Sequence, residues 1–386
     1  MPSARPSLDL LRSLSDEHVL RALFGTDRIT RAELATRTGL SKPTVAESVR
    51  RLTAAGLIYD TGERTHTRGG VGTYYALAPN VGSAVAVQIA PEGVVAEALD
   101  AHGSVLARAE EPVPRPASQA VVTRLVRRAA RTVVNATDGP ARLAVVSAAD
   151  PVERRTGRLV RLPDAPFLVG DLSPVDALRP LVAGQIIVDN DVNWAARAER
   201  AASAPTATPD DFAYLYLGEG LGCAVVSNGE VVRGHGGLAG EISHILTTGT
   251  NRQAVPFTEV FAQLGLRHRE ATSVDVEHLL GAIRTKPEVA LTLARAVAGV
   301  LTAIVALSDP EAVVLGGAWG SDPILLEIVQ SEFGQYPRAV PLRAALPVPQ
   351  PALAGARQHA LSQLRAALIE PTRFPAPPDA VTTAEP

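Results

Sequence analysis

Residues 30–52 read TRAELATRTGLSKPTVAESVRRL, and this stretch decides how the N-terminal part of the chain folds. Thr30 with Glu33 three positions on makes a capping box: the hydroxyl satisfies an orphan amide of the first helical turn, and the carboxylate reaches back to the cap. Leu34 and Ala35 face inward, and Gly39 stops the helix in a tight Thr38-Gly39-Leu40 turn. Ser41 then caps a further helix, with Pro43 near its start, running through Val45, Val49 and Leu52. Upstream, Val19, Leu20, Leu23 and Phe24 recur at helical spacing before Gly25. A helix, a short glycine turn and a second capped helix form the helix-turn-helix pattern. The last helix is expected to expose Ser41, Lys42, Thr44, Glu47, Ser48 and Arg51. Small polar and basic groups of this kind reach base edges and phosphates in a major groove.

Downstream, Leu57-Ile58-Tyr59 and Tyr74-Tyr75-Ala76-Leu77 read as two strands joined by a loop holding Arg64, His66, Arg68 and Gly69-Gly70-Val71-Gly72. A basic, glycine-rich hairpin tip can lie along a phosphate backbone as a wing does. The plainer alternative is a three-helix bundle whose hairpin serves docking or dimerisation. Charge favours the wing. The 386 residues carry a net −3, but residues 1–80 hold 11 Arg/Lys against 8 Asp/Glu, leaving −6 for the rest. Such a split predicts that only the head meets a polyanion.

One cysteine, Cys223, excludes a disulfide framework and a Cys-rich zinc site, and a buried strand is its expected place. No stretch approaches the ~18 uninterrupted apolar residues of a membrane span, and the start lacks an apolar signal core. The expectation is a cytoplasmic protein with no membrane partner.

Beyond residue 82 the pattern alternates strands and helices. Strands are expected at 84–89, 94–99 and 105–106, a helix at 117–136 and a buried strand at 143–147. Further on come a strand at 186–188, a helix at 191–202, strands at 212–217 and 222–227, a long Ala-rich helix at 287–308 and a strand at 312–315. This ordering is that of a layered α/β body.

Four segments then carry a resemblance: Asn190-Asp191-Val192-Asn193-Trp194-Ala195-Ala196, Leu217-Gly218-Glu219-Gly220-Leu221-Gly222, Asn228-Gly229 with Arg233 through His244 (RGHGGLAGEISH), and Asp309 through Gly317 (DPEAVVLGG). In this order they resemble the N-D-x-N-x-A segment, the glycine loop, the N-G and G-E-I-G-H block and the D-P…G-G element of the ROK family, which groups sugar-responsive repressors and sugar kinases. With the N-terminal head, the chain is similar to the repressor branch. The resemblance implies a two-lobed, actin-like α/β body with a sugar in the interlobe cleft. It sets the sugar contacts at Asn190, Asp191, Glu241 and His244, with Glu259 as the match to a further family glutamate. Amides, carboxylates and imidazoles suit a ring of hydroxyls, each of which donates and accepts. A plainer role is open for each: Asn190 and Asp191 as helix caps, Glu241 and His244 as a mutual pair.

The departures from the family pattern bear on chemistry. Kinase members carry D-x-G-x-T at the first strand–turn, where this chain has Gln88-Ile89-Ala90-Pro91-Glu92, and Glu219 stands where the second phosphate loop has Thr. A phosphate cradle needs free backbone N–H groups and no opposing carboxylate. The zinc cysteines after the family histidine are replaced by Thr247 through Pro256 (TTGTNRQAVP). No catalytic residue, ATP or metal is therefore expected, and Asp191 is left as a hydrogen-bond acceptor. The expected organisation is a winged helix-turn-helix at 1–79, a first lobe at 80–190 onto which a helix at 352–368 packs back, a second lobe at 191–351, and a disordered tail at 369–386. The expected function is transcriptional regulation as a repressor, with operator DNA, a sugar or sugar-derivative effector and a second or further copy of the chain as partners. Rival readings are a sugar kinase with an appended head and a regulator whose body only dimerises.

Overall fold

Caps written into the sequence fix the ends of the head's helices. The computed structural model describes residues 8–67, 70–114, 117–162, 171–203, 209–268 and 272–370, so Arg68 and the tail from 371 on lie outside the described residues. Helix α1 (Leu8–Phe24) leads through β1 (Ile29–Thr30) into α2 (Arg31–Thr38). The Thr30/Glu33 capping box opens α2, and Gly39 closes it in the left-handed region at φ 72°. Ser41 accepts from the Thr44 amide to open α3 (Lys42–Ala54). Strands β2 (Ile58–Thr67) and β3 (Gly70–Leu77) make the hairpin, with β1 on the far side of β3. The strands run further than expected, so Arg64 sits on β2 rather than in a loop. A register shift between Asp60 and Arg64 accommodates the extra length.

The body begins with β4 (Ser83–Ile89), β5 (Gly93–Leu99), β6 (Val105–Pro112), α4 (Gln119–Asn135), β7 (Ala141–Ala148), α5 (Pro174–Leu178) and β8 (Ile186–Asn190). Helix α6 (Asp191–Ala202) crosses to a second unit of β9 (Phe212–Leu217), β10 (Leu221–Ser227), β11 (Glu230–Val231), β12 (Leu246–Thr248), β13 (Ala254–Pro256), α7 (Phe257–Gln263), α8 (Val276–Thr285), α9 (Pro287–Ser308), β14 (Ala312–Gly316), α10 (Pro323–Phe333) and β15 (Leu342–Ala344). Helix α11 (Pro351–Ile369) returns to the first unit. The two five-stranded sheets share one order, β6-β5-β4-β7-β8 and β11-β10-β9-β14-β15. In each, three antiparallel strands are followed by two parallel ones, so the body is a repeated α/β lobe.

Strand β7 reads as a nearly continuous apolar run because helices cover both of its faces. Among the described residues, α9 alone is long and apolar enough to cross a membrane, and most of it is buried in the second lobe around Trp319, Phe257 and Phe261. The stretch with Thr247 through Pro256 is ordered by packing: it forms the β12–β13 hairpin, and buried Thr247 donates to the Ala296 carbonyl of α9 at 2.6 Å.

The head does not hang from the body on a linker. One continuous core contains Val19, Leu23, Leu34 and Val49 of the head, Ala84 and Leu99 of the first sheet, and Leu353, Ala360 and Leu364 of α11. Arg365 of α11 donates to the carbonyls of Ala101 (2.8 Å), His102 (3.2 Å) and Phe24 (3.4 Å), and its guanidinium lies over the Phe24 ring. Helix α11 is clamped at its other end by Arg357, which binds the buried Glu97 carboxylate through two bonds of 2.7 and 2.9 Å, with Arg108 on the same carboxylate.

Candidate functional site

On α3, Ser41, Lys42 and Glu47 are exposed and Thr44 is half-buried. Ser48 is not available to a groove: it is fully buried and accepts from Arg51. Arg51 is likewise turned away, gripping Asp16 of α1 through bonds of 3.0 and 2.7 Å. The physical reason is that α1 packs across this face of α3, which helical spacing alone does not reveal. Arg64 is held by Asp60 on its own strand at 2.8 Å, and exposed Arg50, not anticipated from sequence, is held by Glu47 at 2.6 Å. The Lys42 side chain makes no hydrogen bond or ion pair among the described residues, which leaves it as an exposed cation at the start of α3.

The second candidate site is a cleft between the two sheets. Strand β8 delivers Asn190 at the N-cap of α6, where its side-chain oxygen accepts from the Val192 amide at 3.0 Å. Its amide nitrogen faces the carbonyls of Ala148 and Asp150, both at 3.4 Å, and so ties β8 to the loop after β7. Asp191 accepts from the same Val192 amide at 2.8 Å, where the positive end of the helix favours a carboxylate. Asn190, Asp191, Glu241 and His244 all line one cavity, together with Asp150, Tyr216, Gly220 and the first residues of β10, Leu221–Cys223.

Glu259 is not among the residues lining that cavity. It lies in the first turn of α7 and faces Arg267 at 3.8 Å. The start of α7 is tied to the His244 loop, with the Phe257 amide on the Ile245 carbonyl at 2.9 Å and the Thr258 amide on the Ser243 carbonyl at 3.1 Å.

Burial pushes the Asp191 carboxyl up to about 7, with the charges of Glu241 and Asp150 adding to the effect. Burial likewise pushes Glu241 up to about 7, again with Asp150 contributing. Asp150 itself is 4% exposed. It carried no signal in the sequence, since it stands in a loop with no periodicity around it.

Behind the cleft, buried Asp189 receives the Asn190 amide (2.9 Å) and the Asn193 side chain (2.8 Å), with Arg233 at 3.2 Å. Burial raises the Asp189 pKa, and Arg233 opposes the rise. Arg233 belongs to the loop that carries Glu241, so this pair fastens that loop to β8. The Arg154 amide adds a bond to the Gly236 carbonyl at 2.9 Å. Two glycines make the fit possible: a Cβ on Gly237 (φ 91°) would lie 2.4 Å from the Val152 carbonyl oxygen, and one on Gly240 (φ 97°) 1.7 Å from that of Cys223.

The glycine loop is a tight hairpin turn. Its Gly218 amide is spent on the Gly220 carbonyl at 3.1 Å, and the Trp319 indole N–H occupies the Gly218 carbonyl at 2.8 Å. Cys223 is buried, and burial pushes its thiol up to about 12, the state of a packing residue.

Residues 84–361 match the family model described as ROK family, and residues 12–59 match one described as winged helix-turn-helix DNA-binding. The DNA-binding transcriptional dual regulator NagC of Escherichia coli (strain K12) is 24% identical over 241 residues, which covers 62% of this chain and 59% of NagC. The chain thus spans less than two thirds of that relative's length. N-acetylmannosamine kinase of Escherichia fergusonii is 28% identical over 272 residues, 66% of this chain and 89% of the kinase. Among solved structures, a ROK family transcriptional regulator described as a homolog of the E. coli MLC protein aligns with a TM-score of 0.63 at 17% identity, over 93% of this chain and 99% of that one. That likeness is one of fold.

Proposed function

Because this chain belongs to the ROK family and sets a winged helix-turn-helix ahead of the family body, we propose that it is a cytoplasmic DNA-binding transcriptional repressor whose cleft senses a sugar or sugar derivative. The observation that carries this reading is the convergence of Asn190, Asp191, Glu241 and His244 on one cavity, in a molecule whose head shares a core with the lobe beneath it. Effector bound there touches residues of both lobes, so it favours one interlobe angle. Helix α6, which starts at Asp191, packs along α11, and α11 carries Arg365 to the end of α1. In a dimer this linkage changes the separation of two α3 helices that must reach half-sites about 34 Å apart. Ligand shifts that balance only by its differential affinity for the two arrangements, typically 1–3 kcal/mol.

A kinase reading has the Escherichia fergusonii relative in its favour, and three features oppose it. The Gly218 amide is already bonded, the Glu219 carboxylate stands at the same turn, and Gln88 and Glu92 replace the residues that would hold phosphates and metal. Titration calorimetry against monosaccharides, aminosugars and their 6-phosphates, run beside an ADP-release assay, separates the readings. A binding heat abolished in Asp191→Ala without ADP release supports sensing. ADP formed from sugar and ATP replaces it with the kinase, and silence across the whole panel replaces it with a body that only dimerises.

A further inference from the structure

Resting on the DNA-binding reading, we propose that helix α4 is a second DNA-contacting surface, a sequence-independent clamp on the phosphate backbone of a duplex stretch other than the one under the head. Its carriers are Arg124, Arg127, Arg128 and Arg131, whose spacing of three and four residues sets them in one stripe along the solvent side of the helix. All four are exposed and line one open groove with Thr123 and Thr132, and no aspartate or glutamate is among the described residues lining it. Arg124 and Arg131 make no hydrogen bond or ion pair among the described residues. Arg127 spends one nitrogen on the Ala177 carbonyl at 3.3 Å, and Arg128 alone meets a carboxylate, that of Glu111 at 2.5 Å. Helix α4 contains no acid of its own, so four positive charges stand together on a body that is net −6 beyond residue 80. Like charges at these spacings repel and weaken a helix, and a bound polyanion removes that repulsion.

The first sheet separates this stripe from the reader helix. Along β4, Ala84 and Ala86 face the core shared with the head and α11, while Val85, Val87 and Ile89 face the core beneath α4. Head and α4 thus lie on opposite faces of one sheet, and the stripe meets a different stretch of nucleic acid from α3. The surroundings favour DNA over other polyanions. An acidic protein or a membrane surface would be held through apolar or aromatic anchors as well as charge. None of the large apolar side chains exposed among the described residues lies on α4. Guanidinium groups take phosphate oxygens in pairs, and a row of them follows a charged backbone without touching base edges.

The test is an anisotropy titration of the full chain with a mixed-sequence duplex across a salt series. Arg124→Gln/Arg131→Gln, shown by its melting curve to be folded, should lower the slope of log affinity against log salt by about 2. The control Arg155→Gln/Arg338→Gln, which removes two exposed arginines of other surfaces, should leave the slope in place. A slope unchanged in the folded α4 variant, or lowered as far in the control, overturns the clamp while DNA binding by the head stands. No duplex binding by the natural chain at any salt overturns both. A second measurement needs no substitution: saturating duplex should shield Arg124 and Arg131 of the natural chain from phenylglyoxal, as read by peptide mass spectrometry. Labelling of both at the rate seen without DNA overturns the clamp. So does shielding by poly-glutamate and not by duplex, which makes the partner an acidic protein.

Discussion

At the scale of single residues, the described part of the head separates Arg51, which holds the fold, from Lys42, whose side chain makes no ion pair among the described residues. Arg51 and Asp16 form a two-bond pair, each side chain about 23% exposed, so Arg51→Ala removes packing between α1 and α3. Chemical denaturation should register a loss of about 1–2 kcal/mol. Lys42→Ala should leave stability unchanged, weaken binding to a mixed-sequence DNA duplex, and lower the slope of log affinity against log salt by about 1. Fluorescence anisotropy across a salt series checks this. Acid titration gives a second expectation. The carboxyls of Asp191 and Glu241 have ordinary values of 3.8 and 4.5 and are pushed up to about 7 in the fold, so the folded chain keeps protons that the unfolded chain gives up. Their stabilising contribution is full below about pH 4 and is lost as pH rises to about 7. The melting temperature of the natural chain minus that of the Asp191→Asn/Glu241→Gln double variant should fall over this interval and then flatten. Ser48 and Arg51 were misread from sequence because spacing marks which face of α3 is polar, and the partner helix across it is invisible to spacing. Asp150 was invisible for a different reason: the two carboxyls on which its charge acts are distant in sequence.

At the scale of elements, the boundaries that could be read were those with a chemical signal at each end. The α2 box, the Ser41 cap and the span of α6 all follow from side chains that satisfy orphan amides. Strand ends carried no comparable mark, and the β2–β3 hairpin is accordingly longer than read. The contact between α6 and α11 was also beyond the sequence. A Cβ on Gly355 would lie 2.0 Å from the Trp194 carbonyl oxygen, so the two helices approach as closely as backbones allow there. Beside it the Trp194 and His359 rings stand 5.1 Å apart. Gly355→Ala should cost about 1–3 kcal/mol of overpacking in urea denaturation, a large penalty for one methyl group.

At the scale of the whole molecule, the shared core makes head and first lobe one mechanical body. Arg365→Ala removes three carbonyl contacts, including the one to Phe24 at the end of α1. The variant should still bind DNA and still bind the effector, while the change in DNA affinity caused by effector shrinks toward none. Anisotropy titrations of DNA with and without saturating ligand measure that loss directly. A consequence for biosynthesis follows from the same helix. The residues that seal the underside of the head, Leu353, Ala360, Leu364 and Leu368, follow both lobes in the chain. The nascent chain therefore carries an unsealed head until both lobes have been synthesised. A premature stop or a proteolytic nick just ahead of Pro351 would leave a head deprived of its floor.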